Sequence, residues 1–411
     1  MAGIYVHIPY CKKACHYCNF HFSVSLKNKN DFIQALLKEI LLQKNYMQEE
    51  QITTIYFGGG TPSLLEKEDL LQIFDQLHSS FNIAPQAEIT LEANPDDITT
   101  SRLADWKKTG INRLSIGIQS FFEEDLTWMN RAHNAQQAKT CIALARQAGF
   151  YNLSIDLIYG TPGLTDEKWQ ENVAAALAFD IPHLSCYALT VEPGTALQKM
   201  IIQHKKEDVD AEKQARHFLL LMDWLQEAGY EHYEISNFAK PGYRSKHNSS
   251  YWAGKKYLGL GPSAHSFDGI SRQWNIANNA LYIQSLNRDN IPFEEERLTA
   301  TQRLNEYIMT SLRTQEGLDL SYIEKTFGKK VGQQLQKNSQ KIIEGQKLVY
   351  NESLLQLTRE GKLFADGIAA DLFFLEGESV KLNAAAPGIS GYYDDENSLQ
   401  PELPPGKAPL L

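Results

Sequence analysis

Three cysteines within eight residues, Cys11, Cys15 and Cys18 in CKKACHYC, are the densest group of soft donors in this 411-residue chain. Three thiolates in one short loop can converge on a cubane iron–sulfur cluster, which then keeps one iron without a protein ligand. That vacancy is chemically useful. Two other readings use the same residues: a zinc site completed by His16 or His21, and three incidental buried thiols. Cys141 and Cys186 stand apart in apolar, regular segments. An odd number, clustered and without a secretion signal, does not form a disulfide framework and points to a reducing compartment.

Other segments hold reactive or ligand-shaping residue types. GGGTP, from Gly58 to Pro62, can let backbone approach a ligand closely because glycine has no Cβ, although a tight turn uses the same residues. In KHNSSYWAG the HNxxYW run places His247, Asn248, Tyr251 and Trp252 together. Imidazole is an axial ligand for heme iron, and Tyr and Trp offer flat apolar surface to a porphyrin. On chemistry alone a turn with a satisfied histidine and packed aromatics is the better reading. GLGPSAHSF, with His265, is a second Gly-rich loop near by.

These residues must be held by a scaffold, and the pattern of the first half supplies one. Short β-rich runs start at Ile4, Ile52, Ala87, Arg113, Asn152 and His183. Helical patterns such as DFIQALLKEILL from Asp31 and AQQAKTCIALARQ from Ala135 fall between them, with apolar residues returning every three or four positions. Alternating strand and helix predict a parallel sheet with crossover helices. Gly110, Gly149 and Gly229 each close a helix before a strand in an internal echo, as left-handed C-caps do. Polar or glycine residues end nearly all the strands, which favours a partial barrel whose strand ends converge on one site. From Leu298 the pattern changes: Thr299 and Gln302 form a capping box, further helices are expected near Ser321 and over 330–344, and two short strands surround KLVYNESLLQLT. That is a small, mostly helical domain of winged-helix appearance, and it raises DNA binding by a regulatory module as an alternative function.

Composition constrains the rest. With 43% hydrophobic and 22% charged residues the chain can bury an ordinary core. A net charge of −10 argues against a surface devoted to nucleic acid. The most apolar stretch is broken by Asp180, Pro182 and His183, so no segment spans a membrane. A cytoplasmic protein is expected, and peripheral contact with a membrane is compatible with it.

IYVHIPYCKKACHYCNF, with its CxxxCxxC just after the first strand, resembles the radical S-adenosylmethionine (SAM) superfamily. YFGGGTPSLL, ITLEANPDD, RLSIGIQSF, MNRAH, SIDLIYGTPG and CYALTVEPGT follow in order, and they resemble the group that holds oxygen-independent coproporphyrinogen III oxidases and related heme chaperones. The resemblance runs from about residue 4 to 374 and implies an α/β fold, a partial (β/α)6 barrel, with the smaller helical domain after it. It implies residues 1–235 as the barrel, 236–297 as a linker region carrying HNxxYW, 298–375 as the C-terminal domain and 376–411 as a disordered tail. It also implies that Cys11, Cys15 and Cys18 hold a [4Fe–4S] cluster. SAM would lie against Tyr5, Tyr17, Gly59, Gly60, Thr61, Glu92, Gln119, Arg131, Asp156 and Ala188, with Arg131 suited to its carboxylate. The reaction so implied is one-electron reduction of the sulfonium to methionine and a 5′-deoxyadenosyl radical.

Two departures bear on which member this is. The oxidases carry a further cysteine where this chain has Phe20, and they have a longer segment before the first strand. The HNxxYW run resembles the one characteristic of the heme chaperones, which implies His247, Asn248, Tyr251 and Trp252 as heme contacts. The leading expectation is therefore a radical SAM heme chaperone with heme, an electron donor and a heme-accepting apoprotein as partners, respiratory apoproteins among the expected recipients. The alternative is oxidative decarboxylation of coproporphyrinogen III to protoporphyrinogen IX.

Overall fold

A computed structural model describes residues 2–48, 50–375 and 380–382; the expected disordered tail otherwise lies outside the described residues. The first half alternates strand and helix: β1 (Ala2–Ile8), α1 (Lys29–Leu42), β2 (Ile52–Gly59), α2 (Lys67–Ser80), β3 (Ile83–Ala93), α3 (Thr100–Lys108), β4 (Arg113–Gln119), α4 (Glu123–Met129), α5 (Ala135–Gln147), β5 (Leu153–Tyr159), α6 (Asp166–Ala178) and β6 (His183–Ala188). These six strands pair in parallel and in chain order, as the sequence pattern predicts.

Strand periodicity of two explains both faces of this sheet. Ile4, Val6, Ile55, Phe57, Leu91, Leu114, Ile116, Ile155, Leu157 and Leu184 are buried under the helices in the main core. Burial is worth about 1.5–3 kcal/mol for each such side chain. The alternate positions carry polar groups: Tyr5 and His7, Thr54 and Tyr56, Thr90 and Glu92, Arg113 and Ser115, Ser154 and Asp156, His183 and Ser185. They form a polar concave face. Cys141 and Cys186 are both buried in the apolar layer. Gly110, Gly149 and Gly229 have φ of 96°, 81° and 79°, the left-handed cap the echo requires.

After β6 come α7 (Ala196–Ile202), α8 (Ala211–Glu227), β7 (Glu231–Glu234), β8 (Asn237–Ala239), α9 (Lys246–Trp252), β9 (Tyr257–Leu260), β10 (His265–Phe267), β11 (Ser271–Asn275), α10 (Asn279–Leu286) and β12 (Phe293–Arg297). The segment 236–297, expected as a linker, instead completes a 12-stranded sheet of order β12-β11-β10-β9-β1-β2-β3-β4-β5-β6-β8-β7. The third member of the glycine echo likewise leads into the antiparallel pair β7–β8 at one edge, not into a seventh parallel unit. At the opposite edge, β12 exposes Glu294 and Glu295. What ties the added strands down is a buried carboxylate on α1. Glu39 accepts hydrogen bonds from the Gly261 amide (2.7 Å), Asn275 Nδ2 (2.6 Å) and the Tyr282 hydroxyl (2.5 Å).

A second core belongs to α11 (Ala300–Leu312), β13 (Leu318–Asp319), α12 (Leu320–Phe327), α13 (Lys329–Glu344), β14 (Leu348–Asn351), β15 (Leu354–Leu357) and α14 (Ala365–Asp371). Thr299 caps α11 in the expected capping box with Gln302. The small sheet has the order β13-β15-β14, in keeping with a winged-helix appearance.

Candidate functional site

The loop from β1 to α1 carries the three cysteines, and its backbone is clamped on several sides. The Cys11 amide donates to Ser23 O (3.0 Å), the His16 amide to Met129 O (3.1 Å), and the Leu197 amide to His16 O (2.7 Å). Asn130 Nδ2 donates to Ala14 O (2.7 Å), and Lys12 pairs with Asp96 and Asp97. All three thiols face one cavity of about 480 Å³. Burial pushes the Cys11 thiol up to about 11 and the Cys18 thiol up to about 12, so thiolates there need a cationic partner.

The donor set fits a cluster better than a single ion. Among the described residues no three His, Cys, Asp or Glu side chains come together around one ion. Three cysteines that each bind a different iron of a cubane stand farther apart than three that share one ion. For the two histidines that could complete a zinc site, one ring nitrogen of each is engaged, as it also is in zinc-bound histidines. His16 Nδ1 lies 3.0 Å from Trp128 O, and His21 Nε2 lies 2.6 Å from Asn279 Oδ1.

The C-terminal halves of β1 to β6 form much of the remaining cavity wall. Gly60 lets the β2 loop pass the Cys loop, since a Cβ there would sit 2.6 Å from Tyr10 O and 2.7 Å from Ile8 O. Gly59 has φ +103°, and a Cβ on it would sit 2.5 Å from the His7 ring. Thr61 Oγ1 then reaches Cys11 Sγ at 3.4 Å. Tyr5, Tyr17, Gly59, Gly60, Thr61, Glu92, Gln119, Arg131, Asp156 and Ala188 all line the cavity together with the cysteines. The ten positions expected around SAM are thus gathered in one place.

Their electrostatics are specific. Burial pushes the Glu92 carboxyl up to about 7, and neighbouring Asp156 adds to it; burial pushes Asp156 up to about 6. Tyr56 donates to Glu92 Oε1 at 2.8 Å. Gln119, at φ +65°, is left-handed at a strand end, and its buried Oε1 has no hydrogen-bond partner. An unpartnered buried acceptor on a cavity wall suits a ligand that brings a donor. The Arg131 fork is already engaged: Nη1 reaches Cys15 Sγ (3.4 Å) and the Tyr17 hydroxyl (3.3 Å), and Nη2 donates to Asn94 Oδ1 (2.8 Å) and Gly117 O (2.9 Å). It pins the Cys loop to β3 and β4, which is a different task from the expected carboxylate contact.

The HNxxYW residues lie on α9, below the strand ends. Asn248 lines the cavity, whereas His247, Tyr251 and Trp252 do not. His247 is fully buried, with Nδ1 2.8 Å from Thr54 Oγ1, its ring stacked on Tyr56 at 5.1 Å and edge-on to Tyr251 at 4.8 Å. Its Nε2 has no partner, and burial pushes its pKa down to about 3. The imidazole is neutral. His265 opens β10, stacks on Trp274 at 6.1 Å and does not line the cavity.

Arg113, Ser115 and Tyr187 line the cavity without having been singled out in the sequence, and so do Arg313 and Asp366 of the C-terminal domain. Strand alternation held the signal for the first three. Arg113 is almost completely buried beside the carboxylates of Glu92 and Asp156, whose charges it offsets. Arg313 and Asp366 had no local signal.

Residues 5–176 match the model of the radical SAM superfamily, and residues 298–364 that of the HemN C-terminal domain. A Bacillus subtilis protein named heme chaperone HemW is 32% identical over 375 residues, 90% of this chain and 98% of that one. An Escherichia coli protein of the same name is 38% identical over 268 residues, 64% of this chain and 69% of that one. The solved structure of the Escherichia coli coproporphyrinogen III oxidase HemN, titled a radical SAM enzyme, superposes with a TM-score of 0.79 over 90% of each chain. Its sequence identity of 24% makes that a likeness of fold.

Proposed function

The chain belongs to the HemW heme chaperone family within the radical SAM superfamily, and from that membership we propose that it binds heme beside a [4Fe–4S] cluster and SAM and passes the heme to an apoprotein. The observation that carries this reading is that one cavity receives both the three cysteines and Asn248 of the HNxxYW helix. A radical SAM domain implies the cluster and SAM; heme is the finer step.

When bound, the cluster and SAM supply one-electron reduction of a sulfonium. This chain's own residues do the positioning. Cys11, Cys15 and Cys18 would hold the cluster, while Thr61 and Arg131 each direct a donor at one of those sulfurs. Glu92 and Asp156 suit ribose hydroxyls or the cationic end of SAM, and Gln119 Oε1 takes a donor from the ligand. Tyr5 and Tyr17 give aromatic walls, and Gly59, Gly60 and Ala188 leave room for close approach. For heme, His247 contributes a neutral imidazole with one nitrogen unpartnered, the state that ligates iron. Its burial means that Tyr56 or Tyr251 must shift before iron reaches it.

Anaerobic absorption spectra of the full chain, with and without added heme, test the reading. Heme uptake by wild type and its loss in His247→Ala are expected; absence of uptake with the cluster intact overturns it. Phe20 lines the cavity where the oxidases place a cysteine. Vinyl product from coproporphyrinogen III, with SAM and a reductant present, would restore the decarboxylase alternative.

A further inference from the structure

Helix α13 contributes no residue to the cavity wall. The C-terminal domain that carries it runs α11, β13, α12, α13, β14, β15 with the sheet order β13-β15-β14, which is winged-helix connectivity. Helices α12 and α13 meet at Gly328, φ +103°, as a helix-turn-helix in which α13 comes second. In that motif the second helix is the one that enters a DNA major groove. A fold alone assigns no function. The surface of α13 is what points to a ligand.

Val331, Gly332, Leu335 and Ser339 are the buried residues of α13, and over 329–341 every exposed residue is Lys, Gln or Asn. Lys330, Lys337 and Lys341 fall within about 40° of one another on the side away from the buried residues, along about 16 Å of helix. None of Lys329, Lys330, Lys337 and Lys341 forms an ion pair among the described residues, whereas Arg313 and Arg359 of the same domain are each paired with a carboxylate.

A face that had only to be soluble would mix both signs of charge. This one is unfavourable to the isolated helix: Lys329 and Lys330 stand in the first turn, where the helix dipole repels cations, and Lys337 and Lys341 are like charges four residues apart. A bound anion relieves both. It must be extended, to reach all four lysines, and it must offer hydrogen-bonding edges to Gln333 and Gln334 between them. B-form DNA meets both needs, because its major groove admits a helix between two rows of phosphates. The deep, narrow groove of an RNA duplex does not. A lipid surface is the poorer fit, since 329–341 presents no exposed apolar side chain to it. Exposed Glu344 and Glu352, at the end of α13 and at the tip of the β14–β15 hairpin, confine the contact to 329–341.

We propose that α13 is a docking surface for duplex DNA, with Lys329, Lys330, Lys337 and Lys341 on phosphates and the intervening glutamines toward the base edges. This surface is separate from the cavity, so the inference stands whether or not heme binds there.

The test is fluorescence anisotropy of a labelled mixed-sequence DNA duplex titrated with the full chain at several salt concentrations. Binding should weaken about a hundredfold between roughly 50 and 200 mM salt, as four phosphate contacts require. Combined Lys330→Gln, Lys337→Gln and Lys341→Gln should weaken binding roughly tenfold or more at the lower salt and reduce the log–log salt slope by about 3. Lys337→Gln alone should reduce that slope by about 1, and glutamine keeps the helix propensity of these exposed positions. Combined Lys44→Gln, Lys108→Gln and Lys139→Gln changes net charge equally on other exposed surface and should leave binding unchanged. Absence of salt-dependent binding by wild type, equal affinity of the α13 variants and wild type, or an equal loss in the control variant would each overturn the proposal. So would equal binding of an RNA duplex, or binding to vesicles of phosphatidylcholine and phosphatidylserine without binding to DNA.

Discussion

Glu39 shows how one side chain away from the cavity sets a property of the whole protein. It accepts from three donors, yet burial outweighs them and pushes its carboxyl from 4.5 up to about 7. Glu92 and Glu306 are pushed up to about 7 and Asp156 up to about 6, also by burial first. A carboxyl with a raised folded value binds more protons in the native than in the unfolded chain across the intervening window. Stability contributed by its neutral form is complete below the unfolded value and is lost as pH rises through the folded one. Melting temperature should therefore fall as pH rises from about 4.5 to 7, and a shift of Glu39's size corresponds to about 3 kcal/mol. Glu39→Gln should flatten part of that slope. A scan of thermal unfolding against pH checks both, and a melting temperature that rises over this window would contradict the assignment.

At the scale of elements, the crossing of the β2 loop under the Cys loop is the tightest constraint on the site. A Cβ on Gly60 would meet three backbone atoms, Tyr10 O, Ile8 O and Tyr10 N, at 2.6 to 2.8 Å. Backbone cannot rotate away as a side chain can, so Gly60→Ala should displace the segment leading to Cys11. Iron and sulfide per chain should fall severalfold, whereas Gly163→Ala, with nothing within 4 Å, should retain wild-type content. Much of this architecture was legible beforehand. The six parallel strands, the Thr299 capping box and the left-handed glycines each had a local cause written in consecutive residues. The segment 236–297 did not: its strands are three to five residues long, too short for a period, and their partners outside it lie on α1, β1, β6 and β7. Arg113 and Tyr187 could have been found by counting every second strand residue inward. Arg313 and Asp366 reach the cavity only through the packing of the C-terminal domain, which no local pattern encodes.

At the scale of the whole molecule, the two cores are joined by polar contacts as well as by the cavity. Arg244 bridges Glu231 (2.9 Å) and Glu316 (2.7 Å), and Arg272 meets Glu306 at 2.8 Å. The Gln315 amide donates to Tyr233 O at 3.1 Å, extending the β7 edge toward the C-terminal domain. The opposite edge is met by a side chain instead, Gln302 Nε2 donating to Glu296 Oε1 at 2.6 Å. There β12 pairs on one side with β11 and ends the sheet. A bare strand edge is a template on which a second copy of the chain can add its own strand. Three successive glutamates, Glu294, Glu295 and Glu296, put negative charge on both faces of that strand, so two such edges repel when brought together. Replacing all three by Thr should make light scattering grow more steeply with concentration than in the wild type; unchanged scattering would contradict this. The acidity that looked like mere composition in the sequence is, at this edge, what keeps separate molecules from zipping into one continuous sheet.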